Sequence, residues 1–170
     1  MQRFIYALNS AVQQRNWYAA LSLALTLPDI CGRLENPHAK SENRFVAWWD
    51  KYLLAKYSSV VGGRPYTHLA GGDAYSLRCA FLHEGVDETV AQRARVALTK
   101  FHFITPPPRG GMLHCNQLNS ILQLQVDIFC NDISQGVTQW VVDTQNNPDI
   151  TSRTAALITI HDSSSGQVVF

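Results

Sequence analysis

Arg78 and His83 are the side chains in this 170-residue chain whose types and spacing point to a reaction. An arginine holds a phosphate through paired hydrogen bonds and stays charged. A histidine, with an ordinary pKa of about 6.5, moves a proton near neutrality. Gathered in one cleft, the two would make a phosphodiester site. The stretch from Asp73 to Gly85, Asp-Ala-Tyr-Ser-Leu-Arg-Cys-Ala-Phe-Leu-His-Glu-Gly, predicts a short helix capped by Asp73 and stopped by Gly85. Leu77, Ala80 and Phe81 recur at helical spacing and are expected to face the core, which leaves Arg78, Cys79, His83 and Glu84 for other work. Five positions turn a helix by about 500°, so Arg78 and His83 start roughly 140° apart. They converge only through the reach of the arginine and the loosening of the last helical turn.

Arg78-Cys-Ala-Phe-Leu-His83 resembles the R-X4-6-H motif of HEPN domains, a helical superfamily with many metal-independent endoribonucleases in toxin-antitoxin, phage-defence and RNA-processing systems. Cys79 stands where that family commonly carries a polar residue. The likeness spans roughly residues 1–85. It implies a composite site at a homodimer interface, each protomer giving one Arg78 and one His83. It also implies attack of an RNA 2′-hydroxyl on the adjacent phosphate, with His83 transferring the proton and Arg78 stabilising charge on the phosphate oxygens. No metal or cofactor is required by that chemistry. RNA or a nucleotide is the implied ligand, and a cognate antitoxin a possible partner.

Other residues near the motif are weaker candidates. Arg64 and His68 lie in a stretch with Gly62-Gly63, Pro65 and Gly71-Gly72 that reads as a loop able to line the cleft, with Arg64 a second phosphate contact. The simpler reading of Arg64 is a solvated loop arginine. Tyr75, one turn before Arg78, could orient it. Cys79 shares a helical face with His83, and His114-Cys115 could in principle add metal ligands, but no close ligand pairs are present, so metal is not assigned. The reading of Cys79 as a small buried thiol is preferred to that of a nucleophile. Two alternatives come from other classes: a noncatalytic dimerisation module that binds a nucleotide or a protein, and an enzyme with its site around His102, His114 and His161.

Composition sets bounds on these readings. The net charge is +1, which gives no global argument for nucleic-acid binding and requires any RNA contact to be local. Cys31, Cys79, Cys115 and Cys130 are widely spaced, without a CxxC pair or a secretory signal, and read as reduced thiols of a cytoplasmic protein. No apolar run approaches the roughly 18 residues of a membrane span.

The elements that must position the motif follow from periodicity. Phe4, Ile5, Leu8 and Val12 mark a first helix over 2–14, and Asn16 caps a second that runs to Glu35 with Pro28 bending it rather than ending it. Ser41 opens a third helix with Phe45, Trp48, Trp49, Tyr52 and Leu53 on its core stripe. Strands are expected at 101–104 and 118–126, then a long helix over about 126–146 with Phe129, Ile133, Val137 and Trp140 inward. Ala156, Ile158 and Ile160 alternate within 154–161 and suggest a last strand, and the tail beyond Ser163 is polar before it turns apolar. The expectation is an α+β, mainly α fold in one compact domain. Its HEPN-like helical bundle covers 1–85, and a strand-helix-strand part with a small antiparallel sheet packs on it over 86–170.

Overall fold

The computed structural model describes residues 1–82, 93, 96–161 and 163. Three helices come first, α1 (Gln2–Gln13), α2 (Trp17–Glu35) and α3 (Ser41–Tyr52). Arg15 takes a left-handed φ of 55° to turn the chain, and the Asn16 side chain accepts from the Ala19 amide at 3.3 Å to start α2. The helix continues through Pro28 to Glu35, as expected. Ser41 does open α3, yet its hydroxyl gives no cap and donates instead to Asp29 on α2.

A hairpin follows where the sequence suggested a loop. Strands β1 (Ser58–Val61) and β2 (Arg64–Thr67) pair antiparallel, with Val61 opposite Arg64. Gly62 and Gly63 have φ of 57° and 78°, the doubly left-handed turn that fits the twist of a two-residue hairpin. Helix α4 (Gly71–Leu82) begins two residues before Asp73, which therefore sits in the first turn and is not the cap. A Cβ on Gly71 would lie 3.0 Å from Asp50 Oδ1 and 3.1 Å from Val46 Cγ1, so the lack of a side chain lets α4 start hard against α3.

Helical residues 96–100 lead into β3 (Phe101–Ile104), and β4 (Asn116–Leu118) and β5 (Ile121–Gln125) complete a three-stranded sheet of order β3-β5-β4. The β4/β5 pair is antiparallel, but β3 runs parallel to β5, so the sheet is mixed rather than antiparallel. The region expected as one strand over 118–126 is the β4/β5 turn and β5. Helix α5 (Val126–Thr144) starts directly from β5, and α6 (Pro148–Ala155) follows it. The expected strand over 154–161 does not form: Asn147 caps α6 through the Asp149 and Ile150 amides, Pro148 fills the first helical position, and Ile158 and Ile160 are exposed.

One hydrophobic core joins both halves of the chain. Trp48, Trp49, Phe45 and Tyr57 meet Phe129, Ile133, Val137 and Trp140 of α5, all buried. Trp49 and Tyr57 rings lie 5.2 Å apart, and Trp49 and Phe129 6.2 Å. The architecture is α+β and mainly α, with α5 inside the bundle beside α1, α2 and α3 and not appended to it. Among the described residues, no helix is long and apolar enough to cross a membrane.

Candidate functional site

Helix α4 carries the motif arginine and is fixed on its inner side by Ala74 and Leu77, both buried, with Phe81 partly buried against the core. Ala80 is only partly buried, and Cys79, not assigned to the core by spacing, is 3% exposed. His83 and Glu84 lie outside the described residues, as do Gly85 and the whole tail beyond Ser163.

Arg78 points back toward α2. Its Nη2 donates to Asp29 Oδ2 at 2.9 Å, an acid 49 positions upstream that sequence reasoning did not propose as its partner. Asp29 serves two further groups through Oδ1, accepting from Arg44 Nε at 3.2 Å and from Ser41 Oγ at 3.1 Å. Arg44 is also tied to the Ala39 carbonyl at 3.0 Å. The side chains of Asp29, Arg44 and Arg78 are each about 15% exposed, so one carboxylate and two guanidinium groups share a poorly solvated pocket at its rim. Such a trio carries one positive charge in excess. Arg78 Nε is buried and meets no acceptor among the described residues.

Tyr75 packs its ring edge on Phe45 at 5.5 Å, and burial raises its phenol above the ordinary value while a hydrogen bond with Ser41 opposes that. Tyr75 thus shares Ser41 with Asp29 and stands beside the arginine pair. Cys79, Tyr75, Ser76 and Arg93 enclose a cavity of about 10 Å³, room for one water at most. On the outer side of α4 an open groove of about 500 Å³ runs past Gly72, Asp73, Ser76, Arg93 and Lys100. Arg93 forms a two-pronged ion pair with Glu42 of α3. Among the described residues, Arg78 on α4 and Arg44, Arg93 and Lys100 beside it are matched by Asp29, Glu42, Asp50 and Asp73.

Arg64 and His68 are placed elsewhere, on the hairpin. Arg64 is exposed on β2, and His68 Nε2 lies 2.8 Å from Ser59 Oγ with its ring against Tyr66. Among the described residues, neither hydrogen bonds nor ion pairs link them to Arg78. The three histidines of the alternative site are likewise apart: His102 is exposed on β3, His161 is exposed beyond α6, and His114 is half-buried against Tyr57 and 3.9 Å from Asp132. Among the described residues, no group of three or more His, Cys, Asp or Glu side chains could hold a metal ion. The cysteines are unpaired thiols, and burial pushes Cys115 up to about 11 and Cys130 up to about 12, away from thiolate chemistry.

Comparison with protein-family models, with curated proteins and with solved structures finds no match to this chain. The functional reading therefore rests on the residues around α4.

Proposed function

We propose that the chain is a HEPN-like endoribonuclease that cleaves RNA by 2′-hydroxyl attack, with Arg78 and His83 of two protomers forming the site. The observation that carries the proposal is the Asp29–Arg44–Arg78 trio. Because one carboxylate is divided between two guanidinium groups, Arg78 keeps a positive potential at the rim of its pocket, on the helix that bears the motif. A fixed cation in a poorly solvated rim acts on a developing phosphorane charge more strongly than a solvated one. The groove past Arg93 and Lys100 gives flanking phosphates a place to lie.

A second reading draws on the same ion pair. Arg78 is 14% exposed and ties α4 to α2, a structural role that supports a noncatalytic dimerisation module binding a nucleotide or a protein.

One assay separates the two. Purified protein with EDTA present is expected to cut single-stranded RNA, leaving cyclic phosphate ends, and Arg78→Ala and His83→Ala are each expected to lower the rate by about a hundredfold or more. A wild type that never cleaves would remove the nuclease reading and leave the module, whereas folded variants that cleave as fast as wild type would remove Arg78 and His83 as its site. Light scattering tests the homodimer directly.

A further inference from the structure

The two arginines on Asp29 are held unequally. Arg44 is anchored twice, by its Nε on Asp29 and by an Nη1 bond to the Ala39 carbonyl. Arg78 is anchored once, through Nη2 alone, and its buried Nε–H has no acceptor among the described residues. A guanidinium binds an anion best through two parallel N–H groups, and the Nε/Nη2 edge is one such pair. Here that edge is half used. An unsatisfied buried N–H costs about 1–3 kcal/mol, so Arg78 sits in an arrangement that a two-oxygen acceptor could improve.

Asp29 loses little if Arg78 leaves. It retains Arg44 Nε at 3.2 Å and Ser41 Oγ at 3.1 Å, both on Oδ1, so no uncompensated charge is left behind. The reverse does not hold for Arg44, whose departure would also abandon the Ala39 carbonyl.

We propose that Asp29 is an internal competitor for the anion: its carboxylate occupies the Arg78 guanidinium at rest, an RNA phosphate displaces it, and Arg44 with Ser41 holds Asp29 once Arg78 has gone. This deepens the nuclease reading and rests on Arg78 being the residue that meets phosphate. Asp29 touches no substrate in this scheme. It sets how readily the arginine is released.

The test uses the full chain and a fluorescent RNA oligonucleotide carrying 2′-deoxy substitutions, which binds without being cut, read by polarisation. Asp29→Asn removes the competitor and is expected to tighten binding about tenfold, the equivalent of about 1.4 kcal/mol. Arg44→Met and Ser41→Ala leave Asp29 leaning on Arg78 and are expected to weaken binding about two- to fivefold. A purely architectural trio would move all three variants the same way. An Asp29→Asn protein that melts cooperatively but binds no tighter than wild type overturns the proposal. Should Asp29→Asn fail to fold, Ser41→Ala decides, with Tyr75→Phe as its control because Ser41 also hydrogen-bonds the Tyr75 phenol. Unchanged binding in Ser41→Ala, or equal weakening in Tyr75→Phe, also overturns it. Cleavage of all-ribose RNA is scored separately. Loss of cleavage in Arg78→Ala with no Asp29→Asn effect keeps the nuclease and sinks the competitor, whereas the expected binding signs in a protein that never cuts do the opposite.

Discussion

At the scale of single residues, the partner of Arg78 decides how the motif behaves, and that partner lies 49 positions away. The unequal satisfaction of the trio makes a stability prediction. Arg78→Ala leaves Asp29 paired with Arg44 and Ser41, so urea unfolding should register a loss of about 1–2 kcal/mol. Asp29→Ala leaves two poorly solvated guanidinium groups facing each other without a counter-charge and should cost more, about 3–5 kcal/mol; equal losses would contradict the shared-carboxylate geometry. A second residue makes a pH prediction. Burial holds the His114 imidazole below its ordinary value, against the opposing pull of Asp132, of the Gln125 backbone and of Asp127, and with a smaller push from His68. The unfolded chain then accepts a proton that the folded ring resists. This contribution is complete above the unfolded pKa of about 6.5 and declines as pH falls below it toward the lower folded value. His114→Phe keeps a ring against Tyr57 and removes the titration, so the variant's melting temperature should fall less than wild type's between about pH 7 and 5. Parallel profiles would refute the assignment. Arg78 drew attention in the sequence through its type and its spacing from His83. Asp29 did not, since on α2 it reads as one more exposed acid beside Pro28.

At the scale of elements, the site depends on how closely α2 and α3 approach. A Cβ on Gly32 would stand 2.7 Å from the Arg44 carbonyl oxygen, backbone against backbone, one turn from Asp29. Gly32→Ala should therefore lose about 1–3 kcal/mol despite the better helix propensity of alanine, and should disturb the trio by pushing α3 away. A gain in stability on urea unfolding would show that α3 yields freely there. The helices themselves were readable because their apolar positions recur at 3.6 residues: α1, α2 through Pro28, α3 and α5 all appear where the pattern puts them. The hairpin was not, because all eight of its strand residues are exposed and no alternation marks them. Its only signal was Gly62-Gly63 between short β-prone runs. Gly63→Ala, at a φ of 78°, should cost about 1–2 kcal/mol if the hairpin contributes to cooperative unfolding. The C-terminal end misled for the opposite reason. Ala156, Ile158 and Ile160 alternate like a strand, but among the described residues no strand pairs with them, and the Asn147-Pro148 helix start had already claimed the preceding residues.

At the scale of the whole molecule, the division near residue 85 that the sequence suggested is not a division of the core. Phe129, Ile133, Val137 and Trp140 of α5 are all buried and face the same interior as α2 and α3. Burying side chains of this size contributes roughly 1.5–3 kcal/mol each, so these four alone account for on the order of 6–12 kcal/mol, as much as the net stability of a typical domain at about 5–15 kcal/mol. The motif helix and its Asp29 clamp thus borrow their rigidity from the C-terminal half. Trp140 also donates through Nε1 to Glu35 Oε2 at 3.1 Å, fastening α5 to the end of α2. Trp140→Phe should cost about 1–2 kcal/mol for that bond and some packing, and Trp140→Ala about 3–5 kcal/mol. A fragment of residues 1–82 should show helical circular dichroism at most, with no cooperative urea transition, because the faces of α1 and α2 that meet α5 would be left in water. A sharp transition in that fragment would place the fold's stability in the N-terminal helices alone and make the C-terminal half an accessory to the site rather than part of its foundation.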